Sequence, residues 1–398
     1  MASTSPRLRT KSDKKVFIFD THPIQYRSPV FRALQEIMPE TKVFFFDPQF
    51  DGKKWWFHEV GKIPKQEWAL DLTSGFSSSL LNSKELGVRK FYRTLSDLFQ
   101  RERPDAVFIY GYYLPEHWIL WWLCKNLDIP LLFIGETFSR GGTSARRAIK
   151  NLLQPIFFKG VKQFVSIGSR SRDFYLSFGT SEAKITPARY CIDTSFFEMT
   201  EKRSTQIRSK IRSELKIPKD AFVILFVGRL FERKRPWDMG AIHKHFTSDS
   251  RVHTLVVGNG PLESDIDKTA KELPRFHPLG FKNQAQTRDL YHAADLLIVP
   301  SEYETWGLVI NEAFSAGLPA LVTPECGAAG DLVIAGDTGF VFPIGDITAA
   351  TDHIRWCMEN KKKFLEMGRR AKAKVTSEFR VDQFADAMVN AVKAATNA

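Results

Sequence analysis

Two cations follow a strongly apolar segment in the second half of the sequence. Residues 222–227 predict a buried strand, and Arg229 and Lys234 come directly after it. Ligands of open α/β sheets bind beyond the carboxyl ends of the strands. Two cations there could neutralise a diphosphate that gains charge as its bond to a sugar breaks. A charged segment after a strand is more often ordinary solvated surface, so this pattern alone does not identify a site.

Two carboxylates form a second group further along the chain. Glu304 lies in the loop after a predicted strand that ends at Val299, and Glu312 follows eight positions later, inside the next predicted helix. Gly307 lies near the start of that helix, where free backbone N–H groups favour an anion or sugar hydroxyls. One carboxylate could hold sugar hydroxyls and the other ribose hydroxyls. The alternative is a capped surface helix with ordinary glutamates, and the spacing leaves both open.

Polar side chains also follow predicted strands in the first half of the chain. His22 and Gln25 follow the strand 16–20, and Glu136 follows the strand 131–134. His117 comes seven residues after the end of the strand 106–110, where it lies either in a loop or on a helix. Each could line a ligand cleft. Each also has a structural alternative, as a hydrogen-bonded histidine, a helix residue or a cap.

The elements that would carry these residues alternate between short apolar strands and helical segments, twice along the chain. This alternation predicts two parallel sheets covered on both faces, that is, two Rossmann-like doubly wound α/β domains facing each other across a cleft. We predict a disordered tail at 1–14, a first domain at 15–197, a linker at 198–218 and a second domain at 219–380. A C-terminal helix at 381–398 could pack back on the first domain.

Composition excludes several classes of protein. The 398 residues are 43% hydrophobic and 26% charged, which suits a soluble chain of two domains. No apolar run is long enough to span a membrane, and the polar N-terminus lacks the apolar core of a secretion signal. The four cysteines are far apart and fit neither a disulfide framework nor a metal site. We expect a cytoplasmic protein.

The net charge of +12 is concentrated in the first half. Residues 1–200 contain 29 Lys and Arg against 20 Asp and Glu, whereas the remainder has 28 against 25. Basic and apolar residues interleave between 146 and 162, a pattern that favours contact with an anionic membrane surface. The aromatic stretch 118–123 is either a core helix or part of that surface. Nucleic acid is not an expected partner, because no basic motif with stacking aromatics occurs.

The motifs of the second half, taken together, resemble the retaining GT-4 family of glycosyltransferases, which have the GT-B fold. The family's Gly-Arg-Leu…Lys segment, its Glu-x7-Glu segment and the small-residue turn that follows all occur here in order. The resemblance covers roughly residues 190–380. Trp306 stands where the family usually has Phe. The resemblance to the family rests on the segments Gly228-Arg229-Leu230…Lys234, Glu304…Glu312, Ala316-Gly317-Leu318-Pro319, Val257–Leu262 and Leu279–Phe281.

The resemblance implies a role for each of these residues. Arg229 and Lys234 would hold the donor diphosphate, Glu304 the donor sugar and Glu312 the ribose. The backbone near Phe281 would face the base. Further donor contacts would come from the backbone of Gly228, Thr305, Trp306, Gly307 and Leu308.

The resemblance is thinner in the first half. The loop His22–Tyr26 resembles one in a bacterial branch of the family, which suggests that His22 acts near the reacting centre. Gln25, His117 and Glu136 are weaker candidates for the acceptor side. The family's usual His-x-His is replaced by Tyr-Gly-Tyr at residues 110–112, so His117 could substitute for the missing histidine.

The implied activity is transfer of a hexose-type sugar from a nucleotide diphosphate to an acceptor hydroxyl, with retention of configuration. The acceptor would be a carbohydrate or a lipid-linked sugar, in glycolipid or polysaccharide assembly at the inner face of a membrane. Arg229 and Lys234 would do the work of a metal, so we expect neither metal nor cofactor. The alternatives are a sugar phosphorylase, a nucleotide-sugar epimerase or a non-catalytic subunit that binds a nucleotide sugar.

Overall fold

The computed structural model of the chain describes residues 11–46, 72–136 and 153–397, which form two compact units. The first unit contains the described residues up to Arg189 together with the chain from Val381 onward. The second contains Tyr190–Arg380. Each unit has its own parallel sheet with helices between the strands, so the prediction of two Rossmann-like α/β domains is confirmed.

The first unit is built on a sheet of aromatic-rich strands. Phe17, Phe19 and Phe44 pack with Phe99 in a cluster of rings whose centroids lie 5.0–6.5 Å apart. The strands are β1 Val16–Asp20, β2 Lys42–Phe45, β3 Ser78–Leu80, β4 Ala106–Tyr110, β5 Leu131–Ile134, β6 Gln163–Ser166 and β7 Ile185–Pro187. The helices are α1 Ser28–Ile37, α2 Ser83–Glu102, α3 Pro115–Asn126, α4 at 153–159 and α5 Ser169–Ser177.

All pairings among these strands are parallel, in the order β3-β2-β1-β4-β5-β6-β7. Strands β1 and β4 are buried at every position, as expected for central strands covered by helices on both faces. Their carboxyl ends, at Asp20 and Tyr110, therefore lie side by side at one edge of the sheet.

The second unit repeats the arrangement around an apolar core of aliphatic and phenylalanine side chains, which includes Ile224, Leu296 and Phe226. The strands are β8 Phe222–Val227, β9 Val252–Val257, β10 Phe276–Gly280, β11 Leu296–Val299, β12 Ala320–Val322 and β13 Gly339–Val341. Their order is β10-β9-β8-β11-β12-β13, again parallel throughout. The helices are α6 Thr194–Phe197, α7 Glu201–Glu214, α8 Trp237–Lys244, α9 Glu263–Glu272, α10 Gln284–Ala293, α11 Leu308–Ser315, α12 Ile347–Glu359 and α13 Lys361–Glu378.

The predicted linker at 198–218 is instead a helix of the second unit. Helix α7 packs on α10, and two arginines anchor it. Arg212 is 2% exposed and donates to Asp295 Oδ2 at 2.7 Å, while Arg208 donates to Oδ1 at 2.5 Å. Asp295 Oδ2 also accepts from the Val223 N–H at the start of β8. The polar sequence of α7 predicts a solvated connection, because the sequence alone does not show that Arg208 and Arg212 pair with Asp295.

The two ends of the chain belong to the first unit. The C-terminal helix α14 Val381–Thr396 packs against α1, β6 and β7. Within the predicted tail, Ser12 donates its backbone N–H to Ile37 O at 2.9 Å, and Lys14 pairs with Asp105 at 2.9 Å. The prediction of a disordered tail is therefore wrong for 12–14, and residues 1–10 lie outside the described chain. No helix in the described ranges is long and apolar enough to cross a membrane.

We predict that Asp295→Ala lowers the free energy of unfolding of the second unit by about 3–5 kcal/mol, because it leaves Arg212 buried without its carboxylate. The midpoint of urea-induced unfolding measures this change. Asp265→Ala is the matched control, since Asp265 is exposed and pairs only with exposed Lys268 on α9. Equal midpoints for the two variants would show that the Asp295 pair does not anchor α7.

Candidate functional site

The loops after three neighbouring strands of the second unit meet in close backbone contacts. Gly228, directly after β8, donates its N–H to Val257 O at 3.0 Å, and Gly258 donates to Gly280 O at 2.9 Å. Gly258 has a φ of +142°, and a Cβ added to it would lie 1.8 Å from Gly228 O. Only glycine fits there. These contacts fix the point at which Arg229 leaves the strand.

Arg229 and Lys234 both lie on the segment after β8. Arg229 is half-buried, and burial together with the nearby charge of Arg233 lowers its pKa. Lys234 ends a 3-10 turn, Glu232–Lys234, and its side chain is 16% exposed. Burial and repulsion from Arg233 lower the pKa of Lys234 to about 7. An anion that contacts both cations would therefore favour their charged forms.

Glu304 lies on the loop after β11 and forms an ion pair with Lys234. Its carboxylate favours the charged form of Lys234 and so opposes the effect of burial on the lysine pKa. The two residues meet because β8 and β11 are neighbours in the sheet, with their carboxyl ends at the same edge. The structure thus brings together a cation and a carboxylate that are 70 positions apart in the sequence.

Backbone hydrogen bonds from a second loop hold the Glu304 loop in place. Glu304 N–H donates to Glu325 O at 3.2 Å, and Gly327 N–H donates to Glu304 O at 2.9 Å. A Cβ on Gly327 would lie 2.0 Å from Thr305 O, so this close approach also requires glycine. Thr305 is therefore fixed between the two loops, and the direction in which the Glu304 side chain leaves the backbone is set by the fold.

Gly307 caps helix α11 in a left-handed conformation, with a φ of +94°. A Cβ at this position would lie 3.0 Å from Cys326 Sγ and 3.3 Å from Glu304 Cγ. Both the backbone conformation and the lack of space therefore require glycine. Leu308 begins the helix directly after it, so the first free N–H groups of α11 lie next to Glu304.

Trp306 is 2% exposed, and its side chain therefore supports the loop. Its Nε1–H donates to Asn311 Oδ1 at 2.8 Å, and Asn311 Nδ2 in turn donates to Tyr190 O at 2.9 Å. The ring also packs against Tyr190 and Phe379. The implied donor contact at this position can come only from the backbone.

Glu312 and Phe281 differ in their surroundings. Glu312, on α11, is 4% exposed, and its Oε2 accepts from Tyr291 Oη at 2.6 Å. Sequence spacing gave no sign of this tyrosine partner, which lies on α10. Phe281 directly follows β10, at the same edge of the sheet, and is 43% exposed.

No cluster of three or more metal-ligating side chains is present within the described ranges. Asp265 and Asp267 have the Asp-x-Asp spacing found in some metal sites. Both are exposed on helix α9, where Asp265 pairs with Lys268 at 3.1 Å. They lie within a helix and not directly at a strand end, and they are distant from the Glu304 loop in the sequence.

The first unit carries a charged cluster at the carboxyl ends of its strands. Glu136, two residues after β5, accepts from Arg27 at 2.9 Å. Arg27 also donates to Asp20 Oδ1, at the end of β1, at 2.6 Å. Sequence analysis identified Glu136 but missed Asp20 and Arg27. The available signal was a carboxylate as the last residue of a buried strand.

His22 and Gln25 lie on the loop between β1 and α1, close in sequence to this cluster. His22 is half-buried, and its Nδ1 lies 2.9 Å from Thr21 Oγ1. Gln25 is 9% exposed, and its Oε1 has no hydrogen-bond partner among the described residues. The structure therefore places both residues at the carboxyl edge of the first sheet.

His117 has a different environment from the one expected. It is fully buried near the start of α3, where its Nδ1 accepts from the Leu114 N–H at 3.1 Å and its ring packs against Phe46 and Tyr113. Burial lowers the pKa of His117 to about 3. It caps a helix within the core, which corrects the expectation that it replaces a histidine near the acceptor.

Sequence comparison places the second unit among known proteins. Residues 207–374 match the family Glycosyl transferases group 1. An N-acetyl-alpha-D-glucosaminyl L-malate synthase of Bacillus anthracis is 26% identical over 176 residues, which are 44% of this chain and 46% of that protein. A D-inositol 3-phosphate glycosyltransferase of Gordonia bronchialis is 30% identical over 198 residues, 46% of this chain and 42% of that protein. The chain thus spans about half the length of these curated relatives.

Structural comparison extends over nearly the whole chain. Anabaena Alr3699/HepE in complex with UDP matches with a TM-score of 0.74 and 16% identity, covering 95% of this chain and 99% of that one. WaaG, a glycosyltransferase involved in lipopolysaccharide biosynthesis, matches with a TM-score of 0.66 and 15% identity, covering 96% and 100%. These similarities show a shared GT-B fold.

The family match contains Arg229, Lys234, Glu304 and Glu312 within one segment, and the fold on which they lie is the one found in solved glycosyltransferases. Residues 207–374, which form most of the second unit, are therefore similar to the family Glycosyl transferases group 1.

Proposed function

We propose that the chain transfers a sugar from a nucleotide-diphosphate donor to a hydroxyl group of an acceptor, with retention at the anomeric carbon. The observation that carries the proposal is the ion pair between Lys234 and Glu304, with Arg229 leaving the same strand. Cations at one position and a carboxylate beside them match the two halves of such a donor, an anionic diphosphate and a hydroxyl-bearing sugar.

Arg229 and Lys234 are proposed to bind the diphosphate. Lys234 forms an ion pair with Glu304. An incoming diphosphate would take over as the anionic partner of Lys234, which frees the Glu304 carboxylate to accept hydrogen bonds from sugar hydroxyls. The Lys234 and Glu304 side chains are only 16% and 12% exposed. Water therefore competes weakly for them, and Lys234 would strongly stabilise the charge on the leaving group.

The remaining donor contacts are assigned by position. We propose that Glu312, whose Oε2 accepts from Tyr291, holds the ribose. The backbone amides from Thr305 to Leu308 are proposed to contact the sugar or phosphate at the start of α11. The backbone at Phe281 would face the base. The UDP complex of HepE makes UDP the first nucleotide to test.

The proposed reaction breaks the bond between the anomeric carbon and the diphosphate and forms a bond to the acceptor oxygen on the same face of the sugar. The acceptor proton passes to the departing phosphate oxygen, so no covalent enzyme intermediate is needed. His22 is proposed to act near the reacting centre, with Gln25 and Glu136 on the acceptor side. Arg229 and Lys234 stabilise the leaving group without a metal in this proposal.

We predict that Arg229→Ala and Lys234→Ala each weaken UDP binding by about ten- to a hundredfold, because each removes a charge-assisted contact to phosphate. Isothermal titration with UDP, GDP and ADP measures the affinities. Arg251→Ala is the matched control, since Arg251 is an exposed arginine of the same unit that pairs with Asp249. Glu304→Gln should not weaken UDP binding, because it removes the carboxylate that neutralises Lys234. Unchanged affinity in both cation variants would contradict the proposed site.

The stereochemistry and metal requirement can be read in one assay. With an α-configured UDP-sugar, we expect an α-linked product by proton NMR, formed at the same rate in excess chelator. Glu304→Gln should lower the transfer rate while the chelator has no further effect. A β-linked product, or loss of activity restored by a divalent ion, would contradict the mechanism.

We also propose that the first unit contacts an anionic membrane surface when the acceptor is lipid-linked. Trp122 on α3 is 47% exposed, and Ile156 on the neighbouring α4 is also 47% exposed. Trp121 joins the two helices by donating to Phe157 O at 2.9 Å. Three exposed lysines accompany these side chains, at Lys125, Lys159 and Lys162. Residues 146–152 of the expected surface lie outside the described chain.

We predict that the protein co-sediments with vesicles that contain phosphatidylglycerol and not with pure phosphatidylcholine, and that high salt releases it. The double variant Trp122→Ala/Ile156→Ala should lose this binding. Trp237→Ala is the control, because Trp237 is a similarly exposed tryptophan, at 40%, in the second unit. Equal binding by both variants would show that α3 and α4 do not form the contact.

A further inference from the structure

Arg235 has a backbone conformation that is rare for residues other than glycine. It directly follows Lys234 at the end of the 3-10 turn and has a φ of +48° and a ψ of +50°, in the left-handed region. Residues other than glycine persist in this conformation only where the surrounding structure holds them, and they are concentrated at functional sites. The contacts that hold Arg235 therefore bear on the position of Lys234.

The Arg235 side chain makes three hydrogen bonds to two carboxylates. Its Nε and Nη2 donate to the two oxygens of Asp238, at 2.8 and 3.0 Å. Its Nη1 donates to Glu302 Oε1 at 3.0 Å. The guanidinium carbon also lies 5.4 Å from the ring centroid of Trp237. With a side chain that is only 19% exposed, Arg235 is thus held from two sides.

The two carboxylates belong to different parts of the second unit. Asp238 is 2% exposed and lies on α8, in the segment that carries Arg235. Glu302 lies on the loop after β11, two residues before Glu304. The backbones of these two segments also meet, since the Glu302 N–H donates to Arg233 O at 2.8 Å. The Arg235 guanidinium therefore joins the segment after β8 to the loop after β11.

This connection links the two halves of the proposed donor site. Lys234, the sequence neighbour of Arg235, is proposed to bind the diphosphate, and Glu304 is proposed to bind the sugar. Each of the three nitrogen atoms of the Arg235 guanidinium already donates to a carboxylate oxygen. Two carboxylates thus offset its charge, so Arg235 contributes geometry to the donor site more than it contributes charge.

We propose that Arg235 is a positioning residue of the donor site, and that through Glu302 it sets the placement of Lys234 relative to Glu304. The inference rests on the proposed function, because Arg235 has this role only if Lys234 and Glu304 bind the donor. It adds to that site a pair of side chains, Arg235 and Glu302, that do not contact the donor and still govern its binding. A nucleotide sugar, which spans both loops, depends on this pair more than a nucleoside diphosphate does.

Glu302→Ala tests the inference by the sign of its effect. Glu302 is 50% exposed, so its removal costs little folding free energy. If Glu302 were only a surface charge, its removal would strengthen the binding of a negatively charged nucleotide sugar. Because Glu302 holds Arg235, we expect its removal to weaken the binding of UDP-glucose about fivefold or more. The binding of UDP should weaken less, since UDP lacks the sugar that Glu304 is proposed to hold.

Arg235→Gly separates the backbone of this residue from its side chain. Glycine adopts the left-handed conformation without strain, so the variant keeps the turn and removes only the guanidinium. It should weaken UDP-glucose binding at least as much as Glu302→Ala does. In the Arg235→Gly background, Glu302→Ala should no longer weaken binding, because the contact that it breaks is already lost. Thermal midpoints check the folding of each variant, since Arg235→Gly leaves Asp238 buried without this cation.

Isothermal titration of the full chain measures these affinities. The probes are UDP and UDP-glucose, replaced by the corresponding GDP or ADP pair if the wild type prefers that base. Glu366→Ala is the matched control, since Glu366 is a glutamate of the same unit that is 46% exposed and pairs with Arg369. It should leave both affinities unchanged. Unchanged or tighter UDP-glucose binding by Glu302→Ala, or equal losses in Glu302→Ala and Glu366→Ala, would overturn the inference.

The same titrations distinguish this failure from failure of the proposed function. If the wild type binds UDP-glucose and Arg229→Ala weakens that binding while Glu302→Ala does not, the inference about Arg235 alone is wrong. If the wild type binds no nucleoside diphosphate and no nucleotide sugar, the proposed donor site is wrong and the role of Arg235 is overturned with it.

Discussion

The cost of burying charge determines how polar side chains are arranged in both units. Arg27 is paired with Asp20 and Glu136, Arg212 with Asp295, and Lys234 with Glu304. A buried cation without an anion is strongly unfavourable, whereas a paired one is tolerated. Each of these cations therefore needs a carboxylate close to it. The parallel order of each sheet provides one, because neighbouring strands bring their ends, and the loops that follow them, side by side.

Pairing has different consequences at different places in the fold. The Arg212–Asp295 pair joins a helix to the start of β8 and ties up both Asp295 oxygens, so it has a structural role. The Lys234–Glu304 pair lies at the opposite, carboxyl end of the same strand. There we propose that a diphosphate replaces the carboxylate, since both partners are side chains on loops. In this proposal the same interaction is permanent at one end of the sheet and exchangeable at the other.

The alternation of strands and helices could be predicted from sequence, as could the positions of Arg229, Lys234 and Glu304 after the strands, because these signals are local. Apolar runs mark the strands, and Arg229, Lys234 and Glu304 each follow one directly. Features that depend on distant partners could not be predicted. Arg27 pairs with Glu136, which lies 109 positions later in the sequence. Helix α7 is anchored through Arg212 by Asp295, which is more than 80 positions away. His117 was a weak candidate because the family's His-x-His is missing after β4, and the sequence alone did not show that it is buried and caps α3.

Glycine positions explain why the donor-side loops can be so close together. Gly258, Gly307 and Gly327 each occupy a place where a Cβ would lie 1.8–3.0 Å from a neighbouring atom. Their contacts fix the loop backbones before any ligand arrives, so the side chains of Arg229 and Glu304 start from a defined geometry. In the first unit, the Arg27 guanidinium instead holds the strand ends together through its ion pairs with Asp20 and Glu136. A rigid backbone thus supports the loops that we propose bind the donor, and an ion-pair network supports the strand ends of the first unit.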